Sequence, residues 1–263
     1  MSGRAARARR GTARAEEPPV DLGRERRHGR IAGILGIVGV LATVAALLVS
    51  ARGSASGASG TSSEDRARRL TDFHADVGAQ ALGLGLRVLG LVATIALALF
   101  LARAVIDRGG RDGAALRALG IAGPLALVAV LVVGFLAMRD VADVYAAGAP
   151  SPDRAKRLMD DDGLLRAVGV AEIAAHLLFG VWLALLSLRA MSVGLLTRVL
   201  GYWGIAAGVA GVLLPLGDTL FMGWLASVAL LAYGWWPGGV PLAWTSGRAV
   251  PWDVPLESGA AAR

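Results

Sequence analysis

The chain has no cysteine in its 263 residues. Disulfides, thiolate metal sites, S-acylation and cysteine nucleophiles are therefore excluded. Lysine occurs once, at Lys156, so arginine carries the basic excess behind the net charge of +7. Histidine occurs three times, and only His176 falls inside an apolar run, which argues against a bis-histidine haem. HExxH, GxSxG and GxxxxGK[ST] are all missing. Enzymatic chemistry has little to stand on, and no cofactor or metal is expected. Acids are also missing from the apolar runs, with the one exception of Glu172.

What is present is apolar sequence, 55% of the residues, with the charges gathered in blocks between long uncharged runs. That distribution belongs to a polytopic membrane protein and not to a soluble domain, which intersperses its charges. The length allows about six membrane helices of roughly 20 residues. The expected fold is all-α, a bundle of six transmembrane helices at about 31–50, 84–106, 119–138, 168–188, 199–216 and 219–236. Residues 1–30 hold nine arginines against four acids without apolar periodicity and read as a disordered basic cytoplasmic arm. The arm can contact anionic lipid; it lacks the interleaved aromatics of a nucleic-acid binder. Residues 237–263 read as a cytoplasmic or interfacial tail, and Trp203, Trp224, Trp235 and Trp236 suit interfacial aromatic belts.

Internal repetition is the most informative signal. SEDRARRLTD (Ser63 to Asp72) and SPDRAKRLMD (Ser151 to Asp160) share seven of ten residues, and each precedes an apolar run. Asp65, Arg66, Arg69 and Asp72 in the first thus correspond to Asp153, Arg154, Arg157 and Asp160 in the second. LRVLG at Leu86 matches LRAVG at Leu165, and RxxGxxG recurs from Arg30, Arg117 and Arg198. Together these predict tandem helical hairpins entered by two outer amphipathic segments, the first of which suits a helix lying on the membrane surface. Asp72, His74 and Asp76 do not make a metal site, because a helix turns His74 about 200° from the acids. Gly201, Gly204, Gly208 and Gly211 share one arc of the fifth span and predict close helix packing.

Orientation follows from the arginines. Six spans place 17 basic residues on the side of the termini and 8 on the other, so both termini are expected in the cytoplasm. Glu172 and His176 are four residues apart, hence on one helical face, where a carboxylate and an imidazole can relay a proton, bind a cation or form an ion pair that only fixes packing. Arg87, placed about one turn below the outer interface like Glu172, is the expected partner of that acid.

The stretches LTDFHADVGAQALGLGLRVLGL, MSVGLLTRVLGYWGIAAGVAGVLLPLG and WWPGGVPLAWTSGRAVPWD resemble corresponding parts of a family of uncharacterised actinobacterial polytopic membrane proteins. The resemblance covers most of residues 70–253. It implies a multi-pass protein of a bacterial plasma membrane and transfers no functional residue. Three function classes stand: an accessory or sensor-like subunit, held with a membrane partner or as a homo-oligomer; transport of a small solute, ion or proton past Glu172 and His176; and, last, an intramembrane enzyme.

Overall fold

The computed structural model describes residues 20–53, 62–110, 112–213, 217–237 and 239–251, with 51–53 as backbone only. Among them every regular element is a helix: α1 (Leu22–Gly53), α2 (Ser63–Ala75), α3 (Val77–Ile106), α4 (Gly113–Ala146), α5 (Pro152–Asp161), α6 (Gly163–Ser192), α7 (Arg198–Leu213), α8 (Gly217–Tyr233) and α9 (Leu242–Ser246). Four of these, α1, α3, α4 and α6, are long and apolar enough to cross a membrane. At 16 and 17 residues, α7 and α8 are apolar but shorter than the roughly 20 residues of a straight span.

The long helices overrun the apolar windows because capping groups, not hydropathy, set their ends. The Asp76 carboxylate accepts the Ala79 N–H at 3.1 Å and starts α3; Asp162 accepts the Leu165 N–H at 2.7 Å and starts α6. Each Asp is also the single residue between a short helix and a long one. The short helices begin in the same way, at Ser62 for α2 and Ser151 for α5. The expected disordered arm over 1–30 needs correction: Leu22–Arg30 is already helix, continuous with α1, while residues 1–19 lie outside the described residues.

Six helices close into a ring in which α1, α3, α4, α6, α7 and α8 each pack along their neighbours in that order, and α8 returns to α1. Glycine permits the closest approaches. A side chain on Gly208 would meet the Gly180 carbonyl, and one on Gly180 the Gly208 carbonyl, so α6 and α7 touch backbone to backbone. Gly201 faces Met191 and Gly204 faces Ser187 and Trp224, whereas nothing stands within 4 Å of a side chain added at Gly211. The RxxGxxG glycines have the same use on the other helices: Gly33 and Gly36 receive Ala229 of α8, and Gly120 and Gly123 receive Trp182 and Phe179 of α6. The half of the ring nearer α9 is filled by Leu97, Leu101, Phe179, Trp182, Leu183, Leu186 and Trp224. Trp224, expected at an interface, is 1% exposed, and its indole N–H donates to the Leu200 carbonyl at 2.9 Å.

The first amphipathic segment is also not where hydropathy put it. Its apolar stripe, Leu70 and Phe73, is buried against Met138, Val141, Ala142 and Tyr145 of α4 and Ala155 of α5, and not in lipid. A protein surface fits a narrow apolar stripe better than a bilayer does, because the flanking arginines and acids then find partners. The tail after Trp236 turns back under the bundle. Val250 N–H donates to the Val193 carbonyl at 3.1 Å, and the Trp244 indole donates to Leu195 at 2.9 Å. Gly194 makes this possible: at φ 76° it ends α6, and a side chain there would strike the Val250 carbonyl.

Candidate functional site

A cavity of about 860 Å³ opens at the end of the bundle that carries α2 and α5. Its walls come from the first halves of α3 and α6 and the last half of α4, with α2, α5 and Ser50 of α1 at the rim. The two repeated segments converge on it from the same end of the molecule. Arg66 of the first and Asp160 of the second form an ion pair at 2.5 Å. Around the cavity stand four carboxylates, Asp65, Asp72, Asp160 and Glu172, and four guanidinium groups, Arg66, Arg69, Arg87 and Arg166.

The rim charges are largely engaged with the fold. Asp65 accepts the hydroxyl of the N-cap residue Ser62 at 2.8 Å, and Arg166 donates to the Asp160 carbonyl at 2.6 Å. Asp72 also has a partner. In the second repeat, Arg154 leaves the cavity and closes α4 instead, donating to the Val144 and Tyr145 carbonyls at 2.8 and 3.0 Å. Asp153 is exposed in the first turn of α5, and Arg157 lies on the outer surface beside Asp161. His74 pairs with Asp143 of α4 at 2.9 Å while Asp76 caps α3. No group of metal-binding side chains forms among the described residues.

Arg87 and Glu172 lie deeper. Arg87 follows Asp76 by eleven residues and Glu172 follows Asp162 by ten, which sets them about 16 and 15 Å along α3 and α6. Each thus lies about three turns from the start of its helix, because each helix starts well before its apolar run. Both line the cavity, yet among the described residues neither makes an ion pair or hydrogen bond through its side chain. His176 does not join them. Its Nδ1–H donates to the Glu172 backbone carbonyl at 2.9 Å, an i to i−4 bond that takes the imidazole away from the carboxylate, and the ring lies outside the cavity lining.

No family model, curated protein or solved structure matches this chain. The walls themselves define what the cavity can do. Leu84, Val130, Leu131, Phe135 and Val168 supply an apolar body, with Gly83, Gly134 and Gly169 leaving room, and the two unpaired charges are the lining residues farthest along α3 and α6. Binding sites for small molecules have this size.

Sequence reading missed a second polar centre, at the opposite end. Arg108 has a side chain that is 0% exposed. It holds Glu25 of α1 through two bonds, 2.7 and 3.1 Å, donates to the Ala243 carbonyl at 3.0 and 2.8 Å and to Ala104 at 3.0 Å, and lies 5.5 Å from the Trp244 ring centre. The available signal was Gly109–Gly110, which ends α3 with φ 75° at Gly109 and fixes Arg108 under the bundle.

Proposed function

We propose that the protein is a sensor-like, solute-binding component of a bacterial plasma membrane, built from six spans in tandem hairpins with both termini cytoplasmic. The α2 and α5 end then faces outward, as the arginine asymmetry of the sequence supports. The observation that carries the reading is the cavity that brings Arg87 and Glu172 together about 15 Å along their helices. A charge in hydrocarbon costs several kcal/mol, and a hydrated cavity removes that penalty only where water or a ligand enters. The same cavity favours transport as a second reading, since it reaches Glu172. Beneath it, however, the layer of Leu97, Leu101, Phe179, Trp182 and Leu183 is packed, so passage needs those side chains to part. A one-sided site needs no such rearrangement.

The cysteine-free chain permits a direct test by single-cysteine labelling in intact cells with a membrane-impermeant, positively charged thiol reagent. Glu172→Cys and Arg87→Cys should label from outside, and Arg248→Cys, exposed at the opposite end, and Leu101→Cys should not. Labelling of Glu172→Cys no faster than Leu101→Cys would refute the open cavity, and labelling of Arg248→Cys would reverse the orientation.

A further inference from the structure

We infer that the cavity takes a zwitterion, a molecule with one anionic and one cationic group on a partly apolar body. The inference rests on the proposed site and adds the ligand's chemical class. Its basis is the pair of unengaged charges of opposite sign, Arg87 on α3 and Glu172 on α6, which line the same cavity, each about three turns along its helix. They do not neutralise each other: no ion pair joins them among the described residues. A simple anion satisfies the guanidinium and leaves the carboxylate unpaired; a simple cation does the reverse. A dipolar ligand laid between α3 and α6 satisfies both at once, with its negative end on Arg87 and its positive end on Glu172. The lining as a whole carries as many carboxylates as guanidinium groups, so it attracts no net charge and selects a neutral guest with separated poles. Leu84, Leu131 and Phe135 then cover the ligand's apolar part.

That chemistry is shared by soluble zwitterions and by zwitterionic lipid headgroups, and the test separates them. The full chain in phosphatidylglycerol nanodiscs is titrated with the standard amino acids, glycine betaine and phosphocholine, and also with 3,3-dimethylbutanoate and tetramethylammonium, which each keep one pole of betaine. Thermal stabilisation and calorimetry read binding; a parallel preparation in phosphatidylcholine nanodiscs reads occupation by lipid. At least one zwitterion should bind, or phosphatidylcholine should stabilise the chain, while neither single-pole compound does. Glu172→Gln and Arg87→Gln should each weaken binding about 10- to 100-fold, the range expected for losing one hydrogen bond to a charged group, and Glu172→Asp should retain part of it. If a single-pole compound binds as well as the zwitterions and the Gln variants abolish it, the ligand class is wrong and the site stands. If no compound or lipid binds, or if binding ignores both Gln variants, the site falls too. The comparison of betaine with its single-pole analogues uses the unaltered chain, so it decides the class even where a variant fails to fold.

Discussion

Replacing Glu25 with Gln should destabilise the bundle by about 3–5 kcal/mol, because it strands a buried cation. The magnitude follows from the surroundings. The Arg108 side chain is 0% exposed and that of Glu25 10%, so water cannot substitute for the lost carboxylate. The Ala243 and Ala104 carbonyls still accept from the guanidinium, but they carry only partial charge. Arg108→Met should cost a similar amount, since it leaves the carboxylate nearly buried and removes the donors of two carbonyls. The double variant Glu25→Gln with Arg108→Met should recover at least about 2 kcal/mol of the summed losses, because no uncompensated charge remains. Arg103→Met is the control: its pair with Asp107 spans 3.6 Å with both side chains well exposed, and its loss should stay within about 0.5 kcal/mol. Unfolding in mixed micelles titrated with dodecyl sulfate measures all four. A cost below about 1 kcal/mol for Glu25→Gln, or strict additivity in the double variant, would refute the reasoning.

The glycines of α7 separate by position. Gly208→Ala should destabilise by about 1–3 kcal/mol, because the new methyl meets the Gly180 carbonyl, whereas Gly211→Ala meets nothing and should gain about 0.5–1 kcal/mol from helix propensity. Equal effects at both sites in the same micelle titration would rule out the α6–α7 contact as drawn. Convergence of the two repeated segments is testable by cross-linking. With no native cysteine to compete, the pair Arg66→Cys and Asp160→Cys should join through a short bis-thiol reagent within one chain, while Arg66→Cys with Arg248→Cys, at the opposite end, should not.

How much of this was legible in the sequence differs between elements for physical reasons. Apolar runs mark what lipid or core covers, so they located the four long helices; helix ends answer to Asp76, Asp162 and the Ser caps, whose side chains act over three residues and leave no trace in hydropathy. The ten-residue match pointed to two similar short helices, and they do lie at one end, paired through Arg66 and Asp160. It did not show that identical residues diverge in use. Arg66 crosses to the other repeat, whereas its counterpart Arg154 bends back to cap α4, because only the second segment follows the end of that helix directly. Glu172 stood out as the lone acid in an apolar run, but helix spacing alone could not tell that His176 would bond to its backbone and not to its carboxylate. Arg108 and Glu25, 83 residues apart, offered no local signal of pairing at all.

The two polar centres treat an arginine in opposite ways, buried at Arg108 and partly exposed at Arg87, and the contrast bears on function. At the α9 end Arg108 has a carboxylate and two carbonyls in reach, so every part of its guanidinium is engaged and nothing remains for a ligand. Such saturation is what a structural charge requires when it leaves water. At the α2 end Arg87 and Glu172 line one space, and among the described residues neither forms an ion pair. Beside that space the Arg66–Asp160 bridge ties α2 to α5, and α2 packs on α4 and α5. A bundle that needed them only for stability would do better with the pair closed or replaced by apolar residues. Keeping them separate and open to a cavity gives up that stability and leaves both charges available to a third group. For that reason the deep pair, and not the saturated Arg108, is where substitution should change binding while leaving the bundle folded.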